Sequence, residues 1–385
     1  MKFDFDRVFE RRGTDSVKWD LSKDSEVLAM WVADMDFKTA PAIIEALERR
    51  AKSGIFGYAL PPEKFYEALI GWFKNRHGAD IAREWLLYTT GVVPALSAII
   101  RALTSPGDKV LIQEPVYNCF FSSIRNNGCE IVSSDLKILN GSYEMDFEDL
   151  ERKLGDPKVK LFILCSPHNP SGRIWTKDEL QRAGELCLKH KVTLVSDEIH
   201  CDLLLGGRRH IPFLSLGGDI AKNSVTCASP SKSFNLAGLH VANIIAQDAE
   251  LRGKIDRALN INEVCEISPF AIDAQIAAYT SGAEWLDELL AYLEQNFKFL
   301  RNFLKDNLPE LSAMELESTY LPWIDCRKLG LKSEEISKLL LDKAKLWINP
   351  GTLYGKNGEG FVRINIACPR ATLREGLERM KGALK

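Results

Sequence analysis

A lysine and an aspartate stand at positions where they could carry chemistry. Lys232 lies in the small, polar run 229–235, and Asp197 ends an apolar run upstream of it. A lysine amine can hold an aldehyde cofactor as a Schiff base, and a carboxylate can keep a pyridine nitrogen protonated, so that the ring absorbs the electrons of a carbanion. The pair therefore indicates pyridoxal phosphate (PLP) chemistry, although a lysine between small polar residues is more often a solvated loop residue.

Short β-prone runs alternate with amphipathic helical stretches through the middle of the chain. This pattern is typical of an α/β protein in which helices cover both faces of a parallel sheet. The predicted strands are 109–113, 130–134, 160–165, 192–196, 224–228 and 241–246. The predicted helices run from Pro41 to Gly54, over 63–77 before Gly78, over 94–103, and over 177–190 after a capping box of Thr176 and Glu179.

From about Pro269 the pattern changes. A long helical region to about Asn307 is followed by β-prone 320–325, helical 333–343, β-prone 360–367 and a final helix from Arg370. We predict three parts: an N-terminal segment 1–45 that joins the small domain, a large cofactor-binding domain 46–280, and a small α+β domain 281–385.

Composition favours a small-molecule site. The net charge of -3 arises from scattered charges of both signs, which disfavours a nucleic-acid or membrane-surface partner. No apolar stretch approaches the roughly 20 residues that span a bilayer. The nine cysteines lie in apolar runs without a C-x-x-C pair, as expected for reduced residues, so we predict a cytoplasmic protein.

Polar residues follow three of the predicted strands. Asn169 comes after the strand that ends at Cys165, and Asp197 and the run from Ser229 to Lys232 follow two others. Ligands of open α/β sheets gather at the carboxyl ends of strands, so we expect these side chains to meet in one crevice. Taken alone, Asn169-Pro170 would more often be a turn.

These motifs and several others together resemble the fold-type I PLP enzymes of the aspartate aminotransferase superfamily, and most closely the MalY/PatB-type cystathionine β-lyases. The resemblance covers nearly the whole chain. It implies a mostly parallel seven-stranded sheet between helices and a smaller α+β domain. The other matching segments are 33–37, 54–58, 91–94, 114–117, 196–200 and 362–370.

The resemblance implies a role for each residue of the crevice. Lys232 would form the Schiff base, Asp197 would pair with the pyridinium nitrogen, and Tyr117 would stack on the ring; these three are the predicted catalytic residues. Asn169 would donate to the cofactor's phenolic oxygen and also contact the substrate. Arg363 would bind the substrate's α-carboxylate, for which a guanidinium fork is suited.

The cofactor's phosphate is expected at the start of helix 94–103. Backbone N–H groups of Gly91, Val92 and Val93 would face it at a helix N-terminus. The hydroxyls of Ser229 and Ser231 are placed to add hydrogen bonds. Many relatives carry an arginine eight residues beyond the lysine, where this chain has His240.

Two further positions bear on assembly and reaction. Tyr58 matches a residue that reaches the phosphate of the neighbouring subunit, which implies a homodimer with shared active sites. His200 stands three residues after Asp197, where the aminotransferases that the chain resembles commonly have a tyrosine near the cofactor oxygen and the lyases keep histidine. A metal site at 198–202 is disfavoured, because alternate strand residues point to opposite faces and no second ligand pair is spaced to complete it.

The resemblance implies a PLP-dependent carbon–sulfur β-lyase that acts on L-cystathionine or related S-substituted cysteines. Its products would be a thiol (homocysteine from cystathionine), pyruvate and ammonia. An aminotransferase with the same site is the first alternative, since it uses the same carbanion. A regulatory protein that retains the fold without the reaction is the second.

Overall fold

The computed structural model describes residues 2–264 and 266–385. Its α-helices are α1 (Val17–Asp20), α2 (Pro41–Ser53), α3 (Glu63–His77), α4 (Val92–Leu103), α5 (Asn118–Asn126), α6 (Phe147–Leu154), α7 (Lys177–His190), α8 (Gly218–Lys222), α9 (Ala249–Ile261), α10 (Pro269–Ser281), α11 (Ala283–Asn307), α12 (Ser333–Ala344) and α13 (Arg370–Leu384). Its strands are β1 (Leu28–Ala29), β2 (Leu86–Thr89), β3 (Lys109–Ile112), β4 (Glu130–Ser133), β5 (Lys137–Leu139), β6 (Ser142–Glu144), β7 (Val159–Cys165), β8 (Thr193–Asp197), β9 (Ser224–Ala228), β10 (Ala242–Ile245), β11 (Ser312–Ala313), β12 (Trp323–Asp325), β13 (Leu346–Trp347), β14 (Asn349–Pro350) and β15 (Phe361–Arg363).

A seven-stranded sheet forms the centre, in the order β2-β10-β9-β8-β7-β3-β4. β10 is antiparallel to both of its neighbours and the other pairs are parallel, so β2 and β9 point the same way. The predicted α/β class and mostly parallel sheet are confirmed. The six predicted strands are all in this sheet, whereas β2, with 4 residues, was not predicted.

Helices bury both faces of the sheet. Alternate residues such as Leu161 and Ile163 of β7 enter one apolar cluster, which includes residues of α4, α5 and α9. Phe162 and Leu164 point the other way, into a cluster with α6 and α7. Side chains of a strand alternate between faces, so a strand covered on both sides is apolar throughout.

Local signals located the start of α2, the ends of α2 and α3 and the start of α7 correctly. Pro41 occupies the first turn of α2, and Gly54 and Gly78 end α2 and α3 in the left-handed conformation. Thr176 accepts from Glu179 N and forms the predicted capping box. α4 begins at Val92, earlier than the predicted 94.

The long helical region predicted from about Pro269 to about Asn307 consists of two helices. α10 ends at Ser281 and α11 begins at Ala283, with Gly282 between them. A Cβ at Gly282 would lie 2.4 Å from Phe234 Cε1 and 2.5 Å from Ala278 O. The break therefore brings the chain against the turn that carries Lys232.

A second sheet, in the order β11-β12-β15-β14, is antiparallel. Its strands are shorter than the predicted 320–325 and 360–367. Pro322 has no N–H to give to a ladder, so β12 starts at Trp323, and Gly360 has a φ of 83°, so β15 starts at Phe361. β1 pairs in parallel with β13, which ties the N-terminal segment to this part of the chain. The division at residues 45 and 280 stays a prediction.

Among the described helices, none is both long enough and apolar enough to cross a bilayer. Eight of the nine cysteines lie in the described part of the chain, and all eight are free thiols. Cys265 lies outside the described residues.

We predict that Gly282→Ala destabilises the chain, because the new methyl group meets Phe234 and the Ala278 carbonyl. The expected loss in the free energy of unfolding is roughly 1–3 kcal/mol, measured by urea denaturation. The control is Gly253→Ala in α9, where an added Cβ meets nothing within 4 Å. This substitution replaces a glycine in the interior of a helix by a residue with higher helix propensity. A Gly282→Ala variant as stable as the wild type would contradict this explanation of the helix break.

Candidate active site

Residues that follow β2, β3, β7, β8 and β9 meet in one cavity of about 450 Å³. The carboxyl ends of these strands share one edge of the sheet, so each strand delivers a residue to the same place. The predicted site residues that line it are Gly91, Val92, Val93, Tyr117, Asn169, Asp197, His200, Ser231, Lys232 and Arg363. Ser229 and Tyr58 do not line it.

Lys232 lies in the turn after β9 and is half-buried. Its Nζ donates to the backbone oxygen of Ala33 at 2.7 Å. Burial lowers the pKa of Lys232 to about 8; the guanidinium of Arg363 also lowers it, whereas Asp34 opposes the shift. The amine is thus able to release and accept a proton close to neutral pH.

Asp197 is the last residue of β8 and is 3% exposed. Its Oδ1 accepts from Ile199 N at 3.1 Å, yet no cationic side chain of the described residues forms an ion pair with it. Burial raises the pKa of this carboxyl from 3.8 to about 7, and the nearby Glu198 adds to the rise. A buried carboxylate without a cation suits the protonated nitrogen of a pyridine ring, which would lower that pKa again.

Arg363 is held at three points of its guanidinium group. One nitrogen donates to Asn169 Oδ1 at 3.1 Å, another donates to Trp31 O at 2.9 Å, and the group lies 4.7 Å over the Tyr354 ring. Its Nε has no acceptor among the described residues, although the residue is only 4% exposed. The side chain is therefore oriented before any carboxylate arrives, and one buried donor is left over.

The start of α4 offers an anion site. No side chain caps this helix, and the N–H groups of its first turn have no intrahelical acceptor. Ser231 lines the same cavity, whereas Ser229 lies behind it: Ser229 Oγ donates to Val241 O at 2.6 Å and lies 2.9 Å from Ser231 Oγ. A direct phosphate contact by Ser229 stays a prediction. His240 is in the cavity wall, with a φ of 54°.

Two aromatic residues complete the wall. Tyr117 packs edge-on against Phe120 with ring centroids 5.9 Å apart, and burial raises the pKa of its phenol well above 10, so it stays protonated. Burial lowers the pKa of His200 to about 3, which makes it a neutral imidazole. His200 Nδ1 has no partner among the described residues. His200 therefore offers one ring nitrogen that the described part of the chain leaves unused.

The sequence prediction missed several residues of the wall, among them Trp31, Ala33, Asn349 and Leu353. Ala33 stood in a matching motif without an assigned role, and its carbonyl contacts Lys232 across the chain. Nothing local distinguishes these residues, because they reach the cavity only through tertiary contacts.

His77, Cys201 and Asp202 place possible metal-binding atoms within 4.8 Å of one another. However, the Asp202 carboxylate already accepts from Trp72 Nε1 and Ser233 Oγ and lies 2.8 Å from His77 Nε2. Burial raises the pKa of the Cys201 thiol well above 9, so it keeps its proton. We interpret this cluster as a hydrogen-bond network.

A family model described as "Aminotransferase class I and II" matches residues 25–380. The chain belongs to this family.

The chain is 48% identical to "Cystathionine beta-lyase PatB" of Bacillus subtilis (strain 168), over 99% of both proteins. The crystal structure of cystalysin from Treponema denticola, described as containing a pyridoxal 5'-phosphate cofactor, has a TM-score of 0.97, 36% identity and coverage of 100% and 99%. A PLP-bound C-S lyase from Staphylococcus hominis has a TM-score of 0.92, 34% identity and coverage of 99% of each chain. The resemblance inferred from the motifs is confirmed.

We predict that Asp197→Asn stabilises the cofactor-free chain, and that the gain in the free energy of unfolding increases as pH rises from about 4 to 7. The unfolded chain loses this proton near 3.8 and the folded chain only near 7, so the wild type loses stability across that window and the variant does not. The expected gain is roughly 1–4 kcal/mol, measured by urea denaturation at several pH values.

Asp156→Asn is the control of opposite sign. A hydrogen bond from Lys109 lowers the pKa of Asp156, so its removal costs stability above pH 4. A stability difference for Asp197→Asn that stays constant from pH 4 to 7 would show that this carboxyl has an ordinary pKa.

Proposed function

We propose that this aminotransferase-family chain is a PLP-dependent carbon–sulfur β-lyase. It cleaves L-cystathionine or related S-substituted cysteines by α,β-elimination to a thiol, pyruvate and ammonia, with homocysteine as the thiol from cystathionine. The observation that carries the proposal is the meeting of Lys232, Asp197, Asn169 and Arg363 in one cavity of a chain 48% identical to a cystathionine β-lyase.

The chain's residues divide the work of holding the cofactor. When bound, PLP withdraws the electrons left at the substrate's α-carbon. Lys232 supplies the amine that binds the aldehyde, and Asp197 keeps the ring nitrogen protonated. The start of α4 and Ser231 would bind the phosphate, and Asn169 and His200 would lie at the phenolic oxygen. Tyr117 would stack on the ring, which contributes about 1 kcal/mol beyond burial.

Proton transfer is assigned to Lys232. With a pKa of about 8, its free amine can take the proton from the substrate's α-carbon and return a proton to the departing sulfur. Arg363 orients the substrate through its carboxylate, since its guanidinium is already fixed by Asn169 and Trp31. Lys232 thus acts at the α-carbon and the sulfur of the substrate, and Arg363 binds its carboxylate.

An aminotransferase is the second candidate, and the description of the matching family favours it. The same residues would remove the same proton, and the reactions diverge afterwards. We expect L-cystathionine, without an added keto acid, to give continuous pyruvate and free thiol. A stoichiometric burst that restarts only with a keto acid would favour the aminotransferase.

We predict that Lys232→Ala lowers pyruvate formation roughly a thousandfold or more, because both the covalent link and the proton carrier are lost. Borohydride reduction followed by peptide mass spectrometry should place PLP on Lys232 of the wild type. Lys254→Ala, on the surface of α9, is the control and should behave like the wild type. Unchanged turnover in a folded Lys232→Ala variant would reject the mechanism.

We also propose a homodimer with shared active sites. Ile55, Phe56, Tyr58 and Leu60 are 79%, 57%, 92% and 79% exposed, an apolar patch that a partner subunit would bury. Tyr58 would then reach the phosphate in the partner's cavity. The substrate is a small amino acid, and a cytoplasmic location remains part of the same proposal.

Mixing two inactive variants tests the shared sites. In a hybrid of Lys232→Ala and Tyr58→Ala subunits, one of the two cavities has both native residues. Exchange of subunits should therefore restore about a quarter of the wild-type rate. Hybrid dimers that form, as seen by native mass spectrometry, but stay inactive would contradict the sharing of Tyr58.

A further inference from the structure

Asp202 links helix α3 to the turn that carries Lys232. It is 1% exposed, and its Oδ2 accepts from Ser233 Oγ at 3.0 Å, next to Lys232 in sequence. Its Oδ1 accepts from Trp72 Nε1 at 2.9 Å and lies 2.8 Å from His77 Nε2. The carboxylate thus joins a serine of the lysine turn to a histidine of α3.

Glu198 makes the same kind of link beside Asp197. It is 0% exposed, its Oε1 accepts from Ser196 Oγ at 2.9 Å and from Phe213 N at 2.8 Å, and its Oε2 lies 2.9 Å from His210 Nε2. Here too a buried carboxylate joins a serine to a histidine. Ser196 is the residue before Asp197, as Ser233 is the residue after Lys232.

The two serine–carboxylate–histidine sets touch. The rings of His77 and His210 are edge to face, with centroids 5.7 Å apart. Neither carboxylate and neither histidine lines the cavity, so none of the four contacts the reacting atoms. Replacement of buried paired charges by apolar side chains of the same volume is often neutral or stabilising, so stability alone does not explain two buried carboxylates here.

We propose that Asp202 and Glu198, with His77 and His210, are positioning residues for the lyase reaction. Through Ser233 they hold the Lys232 turn, and through Ser196 they hold the end of β8, so that the amine and the Asp197 carboxylate keep one mutual geometry. This inference rests on the proposed function, because it assigns the geometry to the two groups that bind the cofactor.

The turn is also anchored beyond Ser233, where Asn235 Nδ2 donates to Met35 O at 3.1 Å and to Phe37 O at 3.0 Å, and the Phe234 ring packs edge-on against Trp72 of α3. Its backbone bonds are internal: Phe234 N donates to Pro230 O and Leu236 N to Ser231 O, both at 2.9 Å. Ser233 Oγ makes the hydrogen bond that joins the residue directly after Lys232 to the Asp202 carboxylate in the loop after β8. Loss of that contact allows the amine to move, and a displacement of about 1 Å can lower a rate by roughly a hundredfold.

Ser233→Ala and Asp202→Asn test the proposal in the holoenzyme. We expect kcat to fall roughly ten- to a hundredfold while KM changes less than about threefold, because the substrate clamp at Arg363 is untouched. The visible circular-dichroism band per bound PLP, which reports the orientation of the cofactor, should change with kcat. Ser233→Thr keeps the hydroxyl and should restore both.

Ser224→Ala is the matched control. Ser224 is 2% exposed at the start of β9, the strand that leads to Ser233, and its hydroxyl donates to Ala221 O at 2.8 Å. Its loss should lower thermal stability and leave both kcat and the band unchanged.

If Ser233→Ala lowers only the unfolding temperature, the positioning role is wrong. Should Asp202→Asn not fold, Ser233→Ala and Ser233→Thr decide the matter between them. The circular-dichroism band needs no substrate, so it tests the positioning role even if the wild type forms no pyruvate. An absence of pyruvate would count against the proposed function alone.

Discussion

The structure depends on holding two ionisable groups, Lys232 and Asp197, in an environment that opposes their charges. Burial lowers the pKa of the amine to about 8 and raises that of the carboxyl to about 7. Each shift costs stability in the cofactor-free chain and provides reactivity or binding in return. PLP carries an aldehyde that can react with the amine and a ring nitrogen that can be protonated beside the carboxylate. One ligand therefore relieves both costs in stability, which explains why the two groups face one cavity.

The surrounding fold keeps this pair in place. Neighbouring parallel strands β8 and β9 end side by side, which sets the separation of the two groups at the backbone. The irregular segment 31–37 crosses the site, and its carbonyls accept from Lys232 at Ala33 and from Arg363 at Trp31. Beneath the cavity, the network of Asp202 and Glu198 reaches the residues next to both groups. In the proposed arrangement, the groups that contact the ligand are thus separated from the groups that orient them.

The site also explains why one family contains both lyases and aminotransferases. Removal of the α-proton needs an amine of moderate pKa and a fixed carboxylate clamp, which we assign to Lys232 and Arg363, and an electron-withdrawing ring, which the cofactor would supply. The reactions differ in the fate of the electrons afterwards. In the proposed homodimer, burial of the exposed apolar segment around Tyr58 would connect dimer formation to completion of the partner's cavity.

The sequence by itself determined the features that follow from local chemistry. Apolar runs located the long parallel strands, and Pro41, Gly54 and the capping box at Thr176 located helix ends, because backbone satisfaction at those points is decided within a few residues. Strand-end positions then led to Asn169, Asp197 and Lys232. Only the tertiary structure decided the strand β2, the helix break at Gly282, the inward turn of Ser229 and the carbonyl contact of Ala33. Each of these depends on a partner far away in the chain, and such partners come together only when the hydrophobic core has formed.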